Sequence, residues 1–203
     1  MALSFSGATL KQAMDLIPAG DFIPWQLNVP PLPASDVLTA SLQRIQVFDL
    51  KNSEAAKSLL IDLLFTEIAP LHPPLKIWKT EPLVSDVAAG VADYLFAPKK
   101  AFLVTPLLCV AEAKRDNFVQ GEAQCVAEMV ACRWINKRDD LSLDVYGIVS
   151  NGQEWVFYRL TAADEIFVTD TYSLRDLPEL LGVLDQVCAA CAKNAQLSEK
   201  TGS

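Results

Sequence analysis

The chain has 203 residues, 51% of them apolar and 21% charged, which is enough apolar material for a substantial core and excludes wholesale disorder. Eight glycines and twelve prolines are too few for a low-complexity or collagen-like chain. Seventeen Lys and Arg against 25 Asp and Glu leave a net charge of −8, which excludes a protein that coats nucleic acid through bulk charge but not one with a local basic groove.

No apolar run reaches the roughly 20 residues of a membrane span. Met1 to Gly20 carries Lys11 and no long apolar stretch, so it does not read as a secretory signal. The expected location is the cytoplasm, with no membrane partner. The five cysteines, at 109, 125, 132, 188 and 191, are odd in number and lie mostly in apolar sequence, as buried reduced thiols do. Cys188 and Cys191 have a redox or half-zinc-site spacing, but they fall inside an alanine- and leucine-rich helix, where packing is the plainer reading. The single histidine, His72, sits in the proline loop Pro70–Pro74. That leaves no partnered histidine for a zinc site or a serine–histidine triad.

In chain order, residues 1–34 form a proline-containing N-terminal extension lying on the core. It has a short helix at Thr9–Leu16 and anchors at Phe22, Trp25 and Leu27. The core domain is expected over 35–197, with a polar, frayed tail at 198–203. Residues Leu42–Leu50 mix periods and lean towards strand. Asn52 or Ser53 caps a helix running to about Ala69, with Ala56, Leu59, Leu60, Leu63, Leu64 and Ile68 in one stripe. Extended segments follow at Leu75–Thr80, Val87–Ala97 and Ala101–Ala113, with Pro106 at a strand start or bend. A helix fits Val119–Asn136. Strands at Leu143–Ser150 and Glu154–Thr161 flank Asn151-Gly152, a favoured two-residue hairpin turn. A strand at Glu165–Thr171 precedes a helix at Leu174–Ala195. This interleaving predicts an α/β layer structure with a mixed sheet.

The chemistry concentrates between Gly90 and Glu128. The run Leu107–Lys114 is nearly all apolar, as in a central strand buried on both faces, and it ends in Glu112 and Lys114. Alternation puts those two side chains on one side. Charges there are costly unless they have partners or a task. The neighbouring apolar segment Gly90–Phe96 carries one acid, Asp93. Two carboxylates and a backbone carbonyl, that of Ala113, are hard oxygen donors suited to Mg²⁺ or Mn²⁺. Glu67 lies on the apolar stripe of the first core helix, where it either joins that pocket or reaches water. Gln124 and Glu128 share a face of the next helix and read either as part of the site or as a solvated face.

Asp93, then Glu112-Ala113-Lys114 nineteen residues on, then a helix with Gln124 and Glu128, resembles the PD-(D/E)XK nuclease superfamily. The Asn151-Gly152 hairpin is similar to strands that follow the core in small bacterial members. The resemblance covers about residues 50–160. It implies a restriction-endonuclease-like mixed β-sheet flanked by helices and Mg²⁺- or Mn²⁺-dependent hydrolysis of phosphodiester bonds, by an endonuclease acting on DNA. Asp93 and Glu112 match the metal-binding acids, Lys114 the lysine that positions the attacking water, and Glu67 an acid carried by many members on the first core helix. The proline of the family name is replaced by Ala92, and no tyrosine follows Gln124 at the expected place. Glu-Ala-Lys alone is a weak motif, and a salt bridge at a strand end is its plain alternative. The nucleic-acid contacts would fall to Lys99, Lys100 and Arg115, close to the site, or these cations are simply dispersed on the surface. On an acidic body, a homodimer or a separate specificity partner would raise affinity. The competing expectation is a non-catalytic binding or regulatory module that keeps the fold.

Overall fold

The structure, a computed structural model, describes residues 2–18, 20–50, 52–113 and 118–201. Its strands are β1 (Leu3–Ser4), β2 (Phe22–Pro24), β3 (Leu75–Val84), β4 (Ala88–Pro98), β5 (Cys109–Ala113), β6 (Val145–Ser150), β7 (Glu154–Leu160), β8 (Ile166–Val168) and β9 (Tyr172–Ser173). Its helices are α1 (Leu10–Met14), α2 (Asp36–Arg44), α3 (Glu54–Ile68), α4 (Phe118–Arg138) and α5 (Leu177–Thr201). All described strands join one mixed sheet in the order β1-β4-β5-β6-β7-β8-β2, with β3 added beside β4 and β9 beside β7. β4 and β5 are antiparallel, whereas β5 and β6 are parallel and connected through α4.

Helices cover both faces because the central strands are apolar on both. β5 and β6 are buried at every position. On one face α3 and α5 enclose Phe65, Phe96, Trp155 and Phe157, and on the other α1 and α4 pack over Leu95, Val110 and Val149. Ser53 caps α3 through its side chain, and Thr9 forms a capping box with Gln12 on α1. The five cysteines are buried and free. No described helix is long and apolar enough to cross a membrane.

The N-terminal residues enter the sheet at two places. β1 pairs in parallel with the start of β4, and β2 pairs in parallel with β8 at the far edge. Between them α1 lies on α4, where Gln120 donates to the carbonyls of Ser6 and Ala8, each at 3.3 Å.

Several expected elements are corrected. Residues 42–50 are not a strand: α2 runs through Arg44 into a 3-10 turn at Ile45–Val47. Ser35 caps that helix and Leu42 packs on the core, so a short helical stripe won over a mixed pattern. The extended run 101–113 contributes strand only from Cys109, and Pro106 lies in the loop before it. Asn151-Gly152 is not a two-residue turn, since Ser150 pairs with Trp155. Asn151 Oδ1 instead accepts from the amides of Gln153 and Glu154, both at 2.9 Å. Gly152 has φ 85°, and an added Cβ would lie 2.9 Å from Leu60 on α3, so only glycine lets the turn close on that helix. The strand expected at 165–171 is β8 and stops at Val168, and α5 extends through part of the expected tail to Thr201.

Candidate active site

Register brings the acids together. Tyr94 stands opposite Ala111, Leu95 opposite Val110 and Phe96 opposite Cys109, and one further step places Asp93 opposite Glu112. Both alternate with residues packed beneath α4, namely Leu95 and Val110, so they belong to the α4 face. Asp93 Oδ2 accepts from the Ala113 amide at 3.0 Å. On its other side Asp93 stands opposite Thr80, where the β3–β4 ladder lapses between the pairs Lys79–Tyr94 and Glu81–Ala92. Thr80 has φ 56°, a left-handed conformation that costs a β-branched residue roughly 1–3 kcal/mol. Asp93 therefore lies in a gap between two ladders, partly buried and open to a cavity.

α4 supplies the third side. It is wedged between the sheet and α1, so its apolar residues run all round it and Gln124 and Glu128 turn inward. The amide Nε2 of Gln124 donates to Glu112 Oε2 at 2.9 Å and to Glu128 Oε1 at 3.2 Å. Glu112 is 1% exposed and Glu128 is 0% exposed, which removes the solvated-face reading of the Gln124/Glu128 pair. Among the described residues Glu128 Oε2 has no hydrogen-bond partner. Burial pushes the Glu128 carboxyl well above the usual carboxylate range and the negative charge of Glu112 adds to this, while donation from Gln124 opposes it.

α3 does not deliver Glu67 to this pocket. Its carboxylate accepts from the Ser35 amide and hydroxyl, each at 2.8 Å, and so braces the start of α2. The acid that α3 presents is Asp62, which sequence reading missed. Tyr94 donates its hydroxyl to Asp62 Oδ1 at 3.0 Å, and Lys79 donates to both Asp62 oxygens at 2.8 Å. The available signal was position: Asp62 is an acid inside an apolar run, three residues before Phe65, whose ring meets Tyr94 edge-on at 5.2 Å. Asp62, Lys79, Thr80, Asp93 and Ala113 line a common cavity of about 680 Å³.

Lys114 and Arg115 lie outside the described residues. Lys99 and Lys100 follow the end of β4 and are exposed. Lys99 is six residues beyond Asp93, about 20 Å at ~3.3 Å per strand residue, so these two lysines are not beside the acids, as the sequence had suggested. His72 contacts Asp185 at 2.9 Å, tying its loop to α5.

Among the described residues no group of three or more His, Cys, Asp and Glu side chains is arranged to hold a metal ion. Mg²⁺ needs less, because it keeps several waters and takes one or two carboxylates. Asp93, Glu112 and the Ala113 carbonyl fit that smaller, all-oxygen set.

No family model matches the chain, and no curated protein matches it.

Proposed function

We propose that the protein is a metal-dependent nuclease of restriction-endonuclease-like fold that hydrolyses phosphodiester bonds within DNA. The observation that carries this reading is the placement of Asp93, midway along β4, against Glu112, near the end of β5, with Asp93 and Ala113 open to a cavity and Glu112 backed by Gln124 of α4. The mixed sheet with helices on both faces agrees with the fold implied by the Asp93, Glu112-Ala113-Lys114 pattern.

Asp93, Glu112 and the Ala113 carbonyl would hold Mg²⁺ or Mn²⁺. Such an ion, when bound, supplies charge neutralisation at the phosphoryl oxygens and acidifies a bound water. The chain's own groups do the rest. Gln124 fixes the rotamer of Glu112 by a hydrogen bond. The Ala113 amide fixes Asp93 in the same way, leaving its second oxygen to the cavity. Lys114, two residues beyond Glu112 in the sequence, is assigned to orient the attacking water and screen the developing charge. Net charge −8 makes affinity depend on local cations and on a second copy or a specificity partner.

A second reading, a binding or regulatory module without turnover, is favoured by one feature: Gln124 ties Glu112 and Glu128 together by hydrogen bonds, which holds one oxygen of each acid away from a metal ion. Cleavage assays separate the two readings. Supercoiled, linear and single-stranded DNA and RNA are incubated with Mg²⁺, Mn²⁺ or EDTA, using wild type, Asp93→Ala, Glu112→Gln and Lys114→Ala. The expected result is metal-dependent cutting that all three substitutions abolish, with Mn²⁺ binding retained in Lys114→Ala. Folded, Mn²⁺-binding wild type that cuts nothing would refute the nuclease reading in favour of the module.

A further inference from the structure

The cavity that holds Asp93 does not end at β4. Its walls Asp62, Lys79 and Tyr94 are also walls of a second cavity of about 670 Å³, which continues between α3 and β3 past Phe65 and Ile77 to Lys99. The two form one trough about 20 Å long, measured as six strand residues from Asp93 to Lys99 at ~3.3 Å each. A lysine stands at its middle and another at its end. Between them the wall is apolar: Phe65, Ala69, Pro70, Leu75 and Ile77.

Lys79 is held ready in this trough. Two of the three N–H donors of an ammonium go to Asp62, at 2.8 Å each, and the side chain lies over the Tyr94 ring, 4.8 Å from its centroid. One donor remains for an incoming anion, and Lys79 is half-exposed. Asp62 is ion-paired with Lys79 and accepts from the Tyr94 hydroxyl, and among the described residues of the second cavity's wall Lys99 is the cation outside that pair.

We infer that this trough is the track for one unpaired strand of nucleic acid, with backbone phosphates at Lys79 and Lys99 and bases against the apolar wall. Each cavity has the volume of a site for a single small ligand, roughly 300–1,000 Å³, which admits nucleotides of one strand and has no room for their paired partners. Cations that follow a backbone, set beside a surface that meets the bases, are the two parts of single-strand binding. Here the wall offers apolar contact and no free aromatic face, since Tyr94 and Phe65 are both buried. The track is thereby tolerant of sequence. This inference rests on the nuclease reading only for which phosphate lies at Asp93.

The test is binding, measured apart from cutting. A fluorescein-labelled single-stranded DNA and the same sequence as a blunt duplex are titrated by anisotropy in EDTA over a range of salt, and circular dichroism checks that each variant is folded. The expected result is single-strand affinity at least tenfold above duplex affinity. Lys79→Ala and Lys99→Ala should each lower the salt slope for the single strand by about 0.7. Ile77→Asp should weaken single-strand binding, and Lys11→Ala, on the opposite face, should leave it unchanged. Duplex binding as tight as single-strand binding overturns the track, as do unchanged slopes in both lysine variants. Single-strand binding that follows these variants in a protein that cuts nothing keeps the track and removes the nuclease reading. Duplex cutting without single-strand preference does the reverse.

Discussion

Asn136 joins the two elements that carry the candidate site, and its removal has a calculable effect. It lies in the last turns of α4 and is 0% exposed. Its Oδ1 accepts from the Leu107 amide and its Nδ2 donates to the Leu107 carbonyl, both at 2.7 Å. Leu107 leads into β5, so this side chain acts as a ladder partner for the strand that ends in Glu112, while the other end of α4 carries Gln124. Asn136→Ala leaves a buried amide and a buried carbonyl without partners. At roughly 1–3 kcal/mol for each orphaned group, a loss of about 3 kcal/mol is expected. In a chain of this size that lowers Tm by about 6–12 °C. Calorimetry or circular dichroism reads the shift, and hydrogen exchange reads its location: the Leu107 amide should lose protection beyond the global change. Asn52→Ala, at an exposed asparagine that among the described residues bonds to nearby Asp49, should stay within about 0.5 kcal/mol of wild type. A fall in Tm of under 2 °C for Asn136→Ala, with Leu107 still protected, would refute the reasoning.

Two further outcomes follow from contacts described above. Glu67→Ala should cost about 1 kcal/mol by unbracing the capped start of α2, yet leave Mn²⁺ affinity unchanged; a large loss of metal binding would return Glu67 to the pocket. Glu122 accepts from the Tyr158 hydroxyl at 3.1 Å, and burial raises its carboxyl above the usual glutamate range while that hydrogen bond opposes the rise. The folded state therefore holds a proton that the unfolded chain has released, and stability present below about pH 4.5 is lost as pH rises through the folded value. Glu122→Gln keeps the acceptor for Tyr158 and removes the titration. Its Tm should match wild type below the unfolded value, exceed it as pH rises through the folded value and then stay ahead by a constant margin, and a gap independent of pH would contradict the assignment.

Where the sequence was legible, local rules and burial agreed. Ser53 and the leucine stripe place α3, and the unbroken apolar run ending in Glu112 marks β5 as a central strand. Asp93 and Glu112 could be paired in advance because each stands alone among apolar neighbours. The residues that escaped depend on distant partners. α2 is fixed by a carboxylate thirty-two residues away in sequence, which no window over 42–50 contains. Gln124 and Glu128 look like a solvated pair at helical spacing until α1 and the sheet close over both sides of α4. Asp62 was invisible because its importance comes from Lys79 and Tyr94, on strands reached only after the loop beyond α3.

The N-terminal strap has a consequence for how the chain is made. β2 finishes at Pro24, but its pairing partner ends at Val168, which leaves the ribosome about 140 residues later. At roughly 5–20 residues per second, this segment waits some 7–30 s with Phe22, Ile23 and Trp25 uncovered. Its docking also finishes the sheet edge at β8, so closure of that edge joins residues made early to a strand made some 140 residues later. A chain interrupted before Val168 would keep both an apolar leader and an open sheet edge, the two features that most readily draw other chains into aggregates.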